Sequence, residues 1–349
     1  MTAQLTVEGA VDLSRLSAWM RTAGFGDGVI EDPRLLPGGT QNVLLRFRSD
    51  GRDIVLRRPP LRPRPRNNEL ILREATVLKA LASTTVPHAR LLAVCDDPGV
   101  LGSVAFYLME AIDGFNPADE LPDAIGDGEG HVHLAYEATD ALADIGALDH
   151  DAIGLGEFGK PGGFLDRQVP RWIAERDRYL GLDGYDKAPL PGFEVVRDYL
   201  AATVPTTFRP GLMHGDYHFG NLMFDRTSRN LVAVLDWEMS TIGDPLLDLG
   251  RYLAVWPDAH EVIMGTDGIW NPSALPSSDE IVARYAERLD RPVDRLRWYV
   301  VMGCFKLGII LEGTYARSCA GLAPKAIGAA LHQAAVTLFE RASRLVECR

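Results

Sequence analysis

The eight residues HGDYHFGN, His214 to Asn221, followed fifteen positions later by Asp236 in VLDWE, constrain this 349-residue chain more than any other feature. Asp216 and Asn221 lie five apart on what reads as a tight loop, and Asp236 ends a short apolar run. Together they supply one carboxylate to address a hydroxyl and two oxygen ligands for a hard cation. Phosphoryl transfer needs that set: a divalent cation to neutralise the phosphates and a group to orient and deprotonate the acceptor. A polar turn between strands would explain a lone HGD, but not five positions in this order. The alternation of His214, Asp216 and His218 could in principle ligate zinc for hydrolysis, but that reading leaves Asn221 and Asp236 without roles.

Composition narrows the classes. The chain carries 36 basic and 48 acidic residues, a net charge of −12, which argues against general nucleic-acid binding. Its four cysteines (Cys95, Cys304, Cys319, Cys348) are far apart and lack metal-ligand spacing, so they read as reduced thiols of a cytoplasmic protein. The first residues, MTAQLTVEGAVDL, place acids where a signal peptide needs a basic start. The most apolar late stretch, LRWYVVMGCFKLGIIL, is interrupted by Lys306 and reads as too short for a bilayer, so no membrane span is expected. The length fits about two domains of roughly 150 residues, each large enough for its own core.

Two β-rich runs, Asn42–Arg48 and Asp53–Arg57, flank a Ser-Asp-Gly turn and predict a hairpin. Residues 57–66, RRPPLRPRPR, hold five arginines and four prolines in ten positions and predict an extended loop. NNELILREATVLKALAS has helical spacing, with Asn67 or Asn68 as the expected N-cap. Two further strands are expected around the turn at Asp96–Gly102. From about Asp113 an acidic stretch leads into recurrent helical segments, among them Arg167–Leu180, Glu280–Leu289, Leu296–Leu311 and Ala326–Val346, with short strands within Leu212–Phe224 and Leu231–Trp237. The expected organisation is a β-rich nucleotide-binding part, 1–111, and a mainly helical catalytic and substrate part, 112–349, with a ligand cleft between the two.

Within the first helix, Leu70, Glu74 and Leu78 recur at i, i+4 and i+8, which sets Glu74 in an apolar stripe. A carboxylate there needs a cation, and Arg57 on the hairpin strand offers one. The LPGGTQN segment, with Gly38, Gly39, Thr40 and Asn42, precedes the first hairpin strand and is expected to cover phosphates through backbone N–H groups.

The loop spacing resembles the H-x-D-x-x-x-x-N loop and following metal-binding Asp of the protein-kinase-like superfamily, and Gly after the His with Trp-Glu after the Asp resembles the aminoglycoside phosphotransferase family. GGTQN, VLRRPP, REATVLKAL, RQVPRW (Arg167–Trp172) and LDWEMSTIGDPLLDLG (Leu235–Gly250) resemble one branch of it, including the phosphotransferase domain attached to some acyl-CoA dehydrogenases. The resemblance runs from about Leu36 to Gly250. It implies an α+β, bilobal protein-kinase-like fold with a small β-rich N-lobe and a larger helical C-lobe, and ATP with Mg²⁺ as cofactors. It implies Asp216 as catalytic base, Asn221 and Asp236 as Mg²⁺ ligands, His218 touching phosphate or acceptor, and His214 and Asp248 as structural supports of the loop. Gly38, Gly39, Thr40, Asn42, Arg57, Glu74, Glu110 and Ile112 fall where the family holds the nucleotide, and Glu238 beside the metal. Two departures stand out: Arg57 replaces the usual lysine, and Gly146 stands where this branch often has histidine.

The resemblance implies phosphorylation of a small-molecule hydroxyl, with a hydroxyacyl-CoA-like metabolite as first candidate. The Arg-rich loop would suit a phosphorylated or CoA-bearing partner. An aminoglycoside acceptor and a non-catalytic nucleotide-binding module are the alternatives. The acids between Asp113 and Glu129 permit the former, and Arg57 in place of lysine motivates the latter.

Overall fold

The computed structural model describes residues 6–36, 42–64, 66–126, 128–186, 188–257, 274–289 and 293–347. Its contacts divide the chain into two compact units: Met1–Gly114 with Val232–Glu238, and Phe115–Leu231 with Met239–Arg349. The first break thus falls three residues beyond the expected 111/112 boundary, and a later segment joins the first unit.

The first unit begins with α1 (Val7–Ala10) and α2 (Leu13–Thr22), then β1 (Glu31–Leu35), β2 (Val43–Ser49), β3 (Arg52–Arg58), α3 (Asn67–Leu81), β4 (Leu91–Cys95) and β5 (Phe106–Glu110). The strands form one antiparallel sheet in the order β1-β2-β3-β5-β4. Asp50 (φ 50°) and Gly51 (φ 73°) are both left-handed, which matches the right-handed twist of the β2–β3 hairpin. Alternation turns Leu45, Phe47, Ile54, Leu56, Phe106 and Leu108 into one core with Leu16 and Met20. Arg57, one residue on from Leu56, therefore faces the other side of the sheet.

Two expectations need correction here. Neither Asn67 nor Asn68 caps α3: the cap position is Arg66, without a side-chain bond. Asn67 instead accepts from Arg64 N (2.6 Å), and Asn68 bonds Ser103 O and Ala105 N, so both amides are drawn to neighbouring backbone. The Arg-rich loop starts later than 57, because β3 continues through Arg58. Arg58 is buried and donates to the carbonyls of Ala10 and Pro59, which removes it from any ligand-binding loop.

The second unit holds α4 (Glu129–Ala147), α5 (Gln168–Arg178), α6 (Phe193–Ala202), β6 (Gly211–Met213), β7 (Leu222–Phe224), the first residue of β8 (Leu231–Val234), β9 (Thr241–Gly243), α7 (Leu246–Ala254), α8 (Ser278–Leu289), α9 (Leu296–Cys319) and α10 (Lys325–Glu347). β6 pairs antiparallel with β9, on either side of the HGD loop in sequence. α7 and α9 approach so closely that a Cβ on Gly303 would lie 2.5 Å from Gly250 O, and one on Gly250 2.3 Å from Tyr299 O. Only glycine fits at such a crossing. At 24 residues α9 exceeds the expected segment and is long enough to cross a bilayer, but 78% of its most apolar window is buried inside the fold. It is the core helix of this unit.

Candidate active site

The HGD loop is held from below by α7. Asp248, buried near its start, accepts from His214 N (2.6 Å) and Gly215 N (2.9 Å), so both carboxylate oxygens are used by loop backbone. Burial raises its pKa, opposed by His214, Lys306 and these two bonds. Gly215 has φ 88°, and a Cβ there would sit 2.4 Å from Met239 O, which restricts the position to glycine. Its carbonyl accepts from Lys306 Nζ of α9 at 2.6 Å. The His214 ring is fully buried, accepts at Nδ1 from Asp216 N (3.3 Å) and meets Tyr217 edge-on. It supports the loop. Among the described residues no three His, Cys, Asp or Glu side chains are placed to hold a metal, so the zinc alternative gains no support.

With its backbone so held, Asp216 presents a carboxylate 43% exposed. Burial pushes its pKa up, but His218, Arg251 and Lys306 outweigh this and hold it well below the usual carboxylate range. His218 Nε2 lies 3.6 Å from Oδ2, and Arg251 Nη2 3.6 Å from Oδ1. His218 Nδ1 accepts from Gly220 N (3.1 Å), and its Nε2 lies 3.3 Å from Asn221 Nδ2, which ties the ring to the loop. Asn221 donates through Nδ2 to the Asp216 carbonyl (3.0 Å), which leaves Oδ1 as its free acceptor. Asn116 closes the loop by donating to Gly220 O (2.7 Å).

In the first unit, one guanidinium gathers three carboxylates. Arg57 Nε lies 2.8 Å from Glu74 Oε2, close but not aligned as a hydrogen bond, and Nη2 lies 2.6 Å from Asp236 Oδ1 and 3.2 Å from Glu238 Oε2. Asn42 donates to the same Glu238 oxygen (3.0 Å), and Tyr107 bonds Glu74. Glu74 Oε1 accepts from Trp237 N (3.2 Å), while Val234 N bonds Pro87 O (2.9 Å), fixing the returning segment that carries Asp236. Burial and the neighbouring Asp236 and Glu238 push Glu74 up to about 7 against the pull of Arg57. Burial lowers Arg57, but Glu74, Tyr107, Asp236 and Glu238 together leave it raised and firmly charged. Asp236 adopts φ 63°, a left-handed conformation that costs a non-glycine residue about 1–2 kcal/mol. Such strain is typical of functional positions.

The structure thus brings Asn42, Arg57, Glu74, Asp236 and Glu238 together in one unit, and Asp216, His218 and Asn221 in the other. Glu110 and Ile112 do not join either network by a hydrogen bond among the described residues. Glu110 Oε1 is paired with Arg90, and the Glu110 N–H donates to Arg90 O. Gly38, Gly39 and Thr40 lie outside the described residues. A side chain at Gly146 would meet Pro245 Cβ at 2.9 Å and the Tyr285 hydroxyl at 3.2 Å, so the missing histidine has no room. Sequence reasoning missed Arg251 and Lys306. The available signal was charge inside apolar helices, which a fold tolerates only with a partner.

Among solved structures, that of a Ralstonia eutropha protein provisionally described as an aminoglycoside phosphotransferase superimposes with a TM-score of 0.78 at 28% identity, covering 97% of this chain and 98% of that one. Aminoglycoside phosphotransferase APH(4)-Ia, solved with ADP and hygromycin B, shares the fold at a TM-score of 0.57 and 17% identity, covering 91% and 98%. The fold is accordingly the bilobal, protein-kinase-like one. The profile of the phosphotransferase enzyme family matches residues 32–293, and the chain belongs to that family. Acyl-CoA dehydrogenase family member 10 of Mus musculus is 30% identical over 82% of this chain, and family member 11 of Gallus gallus is 30% identical over 82%. The chain spans 27% and 37% of the lengths of those two proteins.

Proposed function

We propose that this chain is an ATP- and Mg²⁺-dependent O-phosphotransferase acting on a hydroxyl of a small molecule. The observation that carries the reading is Asp216: a half-exposed, firmly ionised carboxylate on a loop fixed by Asp248, Gly215 and Lys306. In the reaction, the acceptor oxygen bonds to the γ-phosphorus as the bond to the bridging β,γ-oxygen breaks. ADP leaves, and the hydroxyl proton passes to Asp216 Oδ. Because the transition state of such transfers is loose, the proton moves late, and a weakly basic carboxylate that orients the hydroxyl suffices.

Asn221 Oδ1 and the Asp236 carboxylate are hard oxygen donors suited to Mg²⁺, and Asp236 keeps one oxygen clear of Arg57. When bound, the cation neutralises phosphate charge. Arg57, a planar fork, supplies the second positive group to the phosphates, with Glu74 and Glu238 holding it in place. Nucleotide use is supported by the ADP complex of APH(4)-Ia. Among acceptors, relation to acyl-CoA dehydrogenase family members favours a hydroxyacyl metabolite over an aminoglycoside. We place the reaction in the cytoplasm, where the thiols of Cys95, Cys304 and Cys319 would stay reduced. The test is ADP release with a panel of hydroxyl-bearing metabolites in Mg²⁺ and ATP. A turned-over acceptor lost in Asp216→Asn supports the proposal, whereas equal turnover in that variant overturns it.

A further inference from the structure

The RQVPRW segment has no part in the transfer as described, yet the fold brings it against Lys306, the α9 lysine that holds the Asp216 loop. Lys306 Nζ, bonded to Gly215 O, lies 5.7 Å from the Trp172 ring centre, and the Arg171 guanidinium lies 5.3 Å from the same ring. From α7, Arg251 reaches within 3.6 Å of Asp216. Arg251 is buried, and its Nη1 has no hydrogen-bond partner among the described residues; nor has the buried indole Nε1 of Trp172. Buried donors without acceptors are costly; Arg251 lies beside the carboxylate that would meet the acceptor, and Trp172 lies beside Lys306.

Negative charge that could balance this cluster is engaged elsewhere. Asp248 is used by the loop N–H groups. Asp140 and Asp144 are paired with Arg284 and Arg288, and Glu120 of the acidic stretch is paired with Arg226. Arg251 and Lys306 are therefore set beside Asp216, and Arg171 adds its charge beside Lys306. A polycationic acceptor would be repelled here, whereas an oxyanion would satisfy unpaired donors.

We infer that Arg251, Lys306 and the Arg171–Trp172 pair form a specificity subsite for an oxyanion carried close to the reacting hydroxyl. The acceptor is then a hydroxy acid or a hydroxyalkyl phosphate, and neither an aminoglycoside nor a neutral alcohol. The inference deepens the phosphotransferase reading and rests on it for the hydroxyl.

Calorimetric titration with Mg²⁺ and ADP present tests it, using four probes: short ω-hydroxycarboxylates, the same compounds as amides, hydroxyalkyl phosphates, and kanamycin. At least one acid or phosphate should bind about tenfold or more tighter than the uncharged amide, as expected for charge-assisted hydrogen bonds. The better of the two anions identifies the group. Arg171→Gln, at an exposed position, and Lys306→Met should each weaken that anion about tenfold. In Arg171→Gln the amide should be unaffected. Should Lys306→Met fail to fold, Arg171→Gln alone decides. Equal binding of acid and amide, preference for kanamycin, no anion binding at millimolar concentration, or unchanged anion affinity in the folded variants would each overturn the subsite. A bound anion that yields no phosphorylated product by ³¹P NMR with ATP instead removes the phosphotransferase reading and leaves the subsite standing.

Discussion

A carboxylate meant to abstract a proton from an alcohol in the ground state would be tuned upward; Asp216 is held the other way. His218, Arg251 and Lys306 overcome the effect of burial and keep it ionised, so in the proposed transfer its work is to orient the hydroxyl and receive the proton late. Asp216→Asn should leave ATP affinity within error of wild type and lower turnover about 10²–10⁴-fold, read from ADP release with the identified acceptor. Arg57 is the second decisive residue. Its fork touches three carboxylates, a geometry that a lysine point charge cannot reproduce. Arg57→Lys should therefore retain measurable but weakened ATP binding and Arg57→Ala should lose most of it, whereas affinities equal to wild type in both would assign Arg57 to structure alone. Glu74 carries a pH signature. Its folded pKa, about 7, lies above the ordinary 4.5, so the folded chain holds its proton more tightly than the unfolded one. Its contribution is greatest below 4.5 and falls as pH rises toward 7. The melting temperature of wild type minus that of Glu74→Gln should decline across that interval and then level off; a flat difference would show that Arg57 keeps Glu74 ionised throughout.

At the scale of elements, the site depends on how closely α7 and α9 pass. Asp248 and Arg251 come from one helix and Lys306 from the other, and the crossing is set by Gly250 and Gly303. Gly303→Ala places a methyl 2.5 Å from Gly250 O and should push the helices apart. The expected outcome is a lowered melting temperature together with a turnover loss larger than any loss of ATP affinity, since the loop shifts while the Arg57 network stays. This crossing also explains what could be read from the sequence. The loop from His214 to Asn221 and the Glu74 stripe were legible because their chemistry is written in local spacing. Lys306 looked only like an interruption of an apolar run, because its partner, the Gly215 carbonyl, lies ninety-one residues away and no side chain announces it. The Asn67 and Asn68 caps failed for a related reason: their amides found non-local or loop backbone, a choice that propensity does not encode.

Across the whole molecule, the first compact unit carries Arg57, Glu74 and Asp236, and the second carries Asp216 and Asn221. The kinase-like fold, seen in the Ralstonia eutropha protein across nearly the full length, is the frame in which such a division of labour is expected. Because Asp236 is engaged by Arg57 and spends free energy on a left-handed backbone, its value to the protein should appear only with the cation. Titration calorimetry of ATP, with and without Mg²⁺, on wild type and Asp236→Ala tests this most directly. Mg²⁺ should tighten ATP binding to wild type at least about tenfold and have little effect on the variant. ATP affinity that ignores Mg²⁺ in wild type, or a Mg²⁺ effect that survives intact in Asp236→Ala, would contradict the assignment of this chain as a Mg²⁺-dependent phosphotransferase.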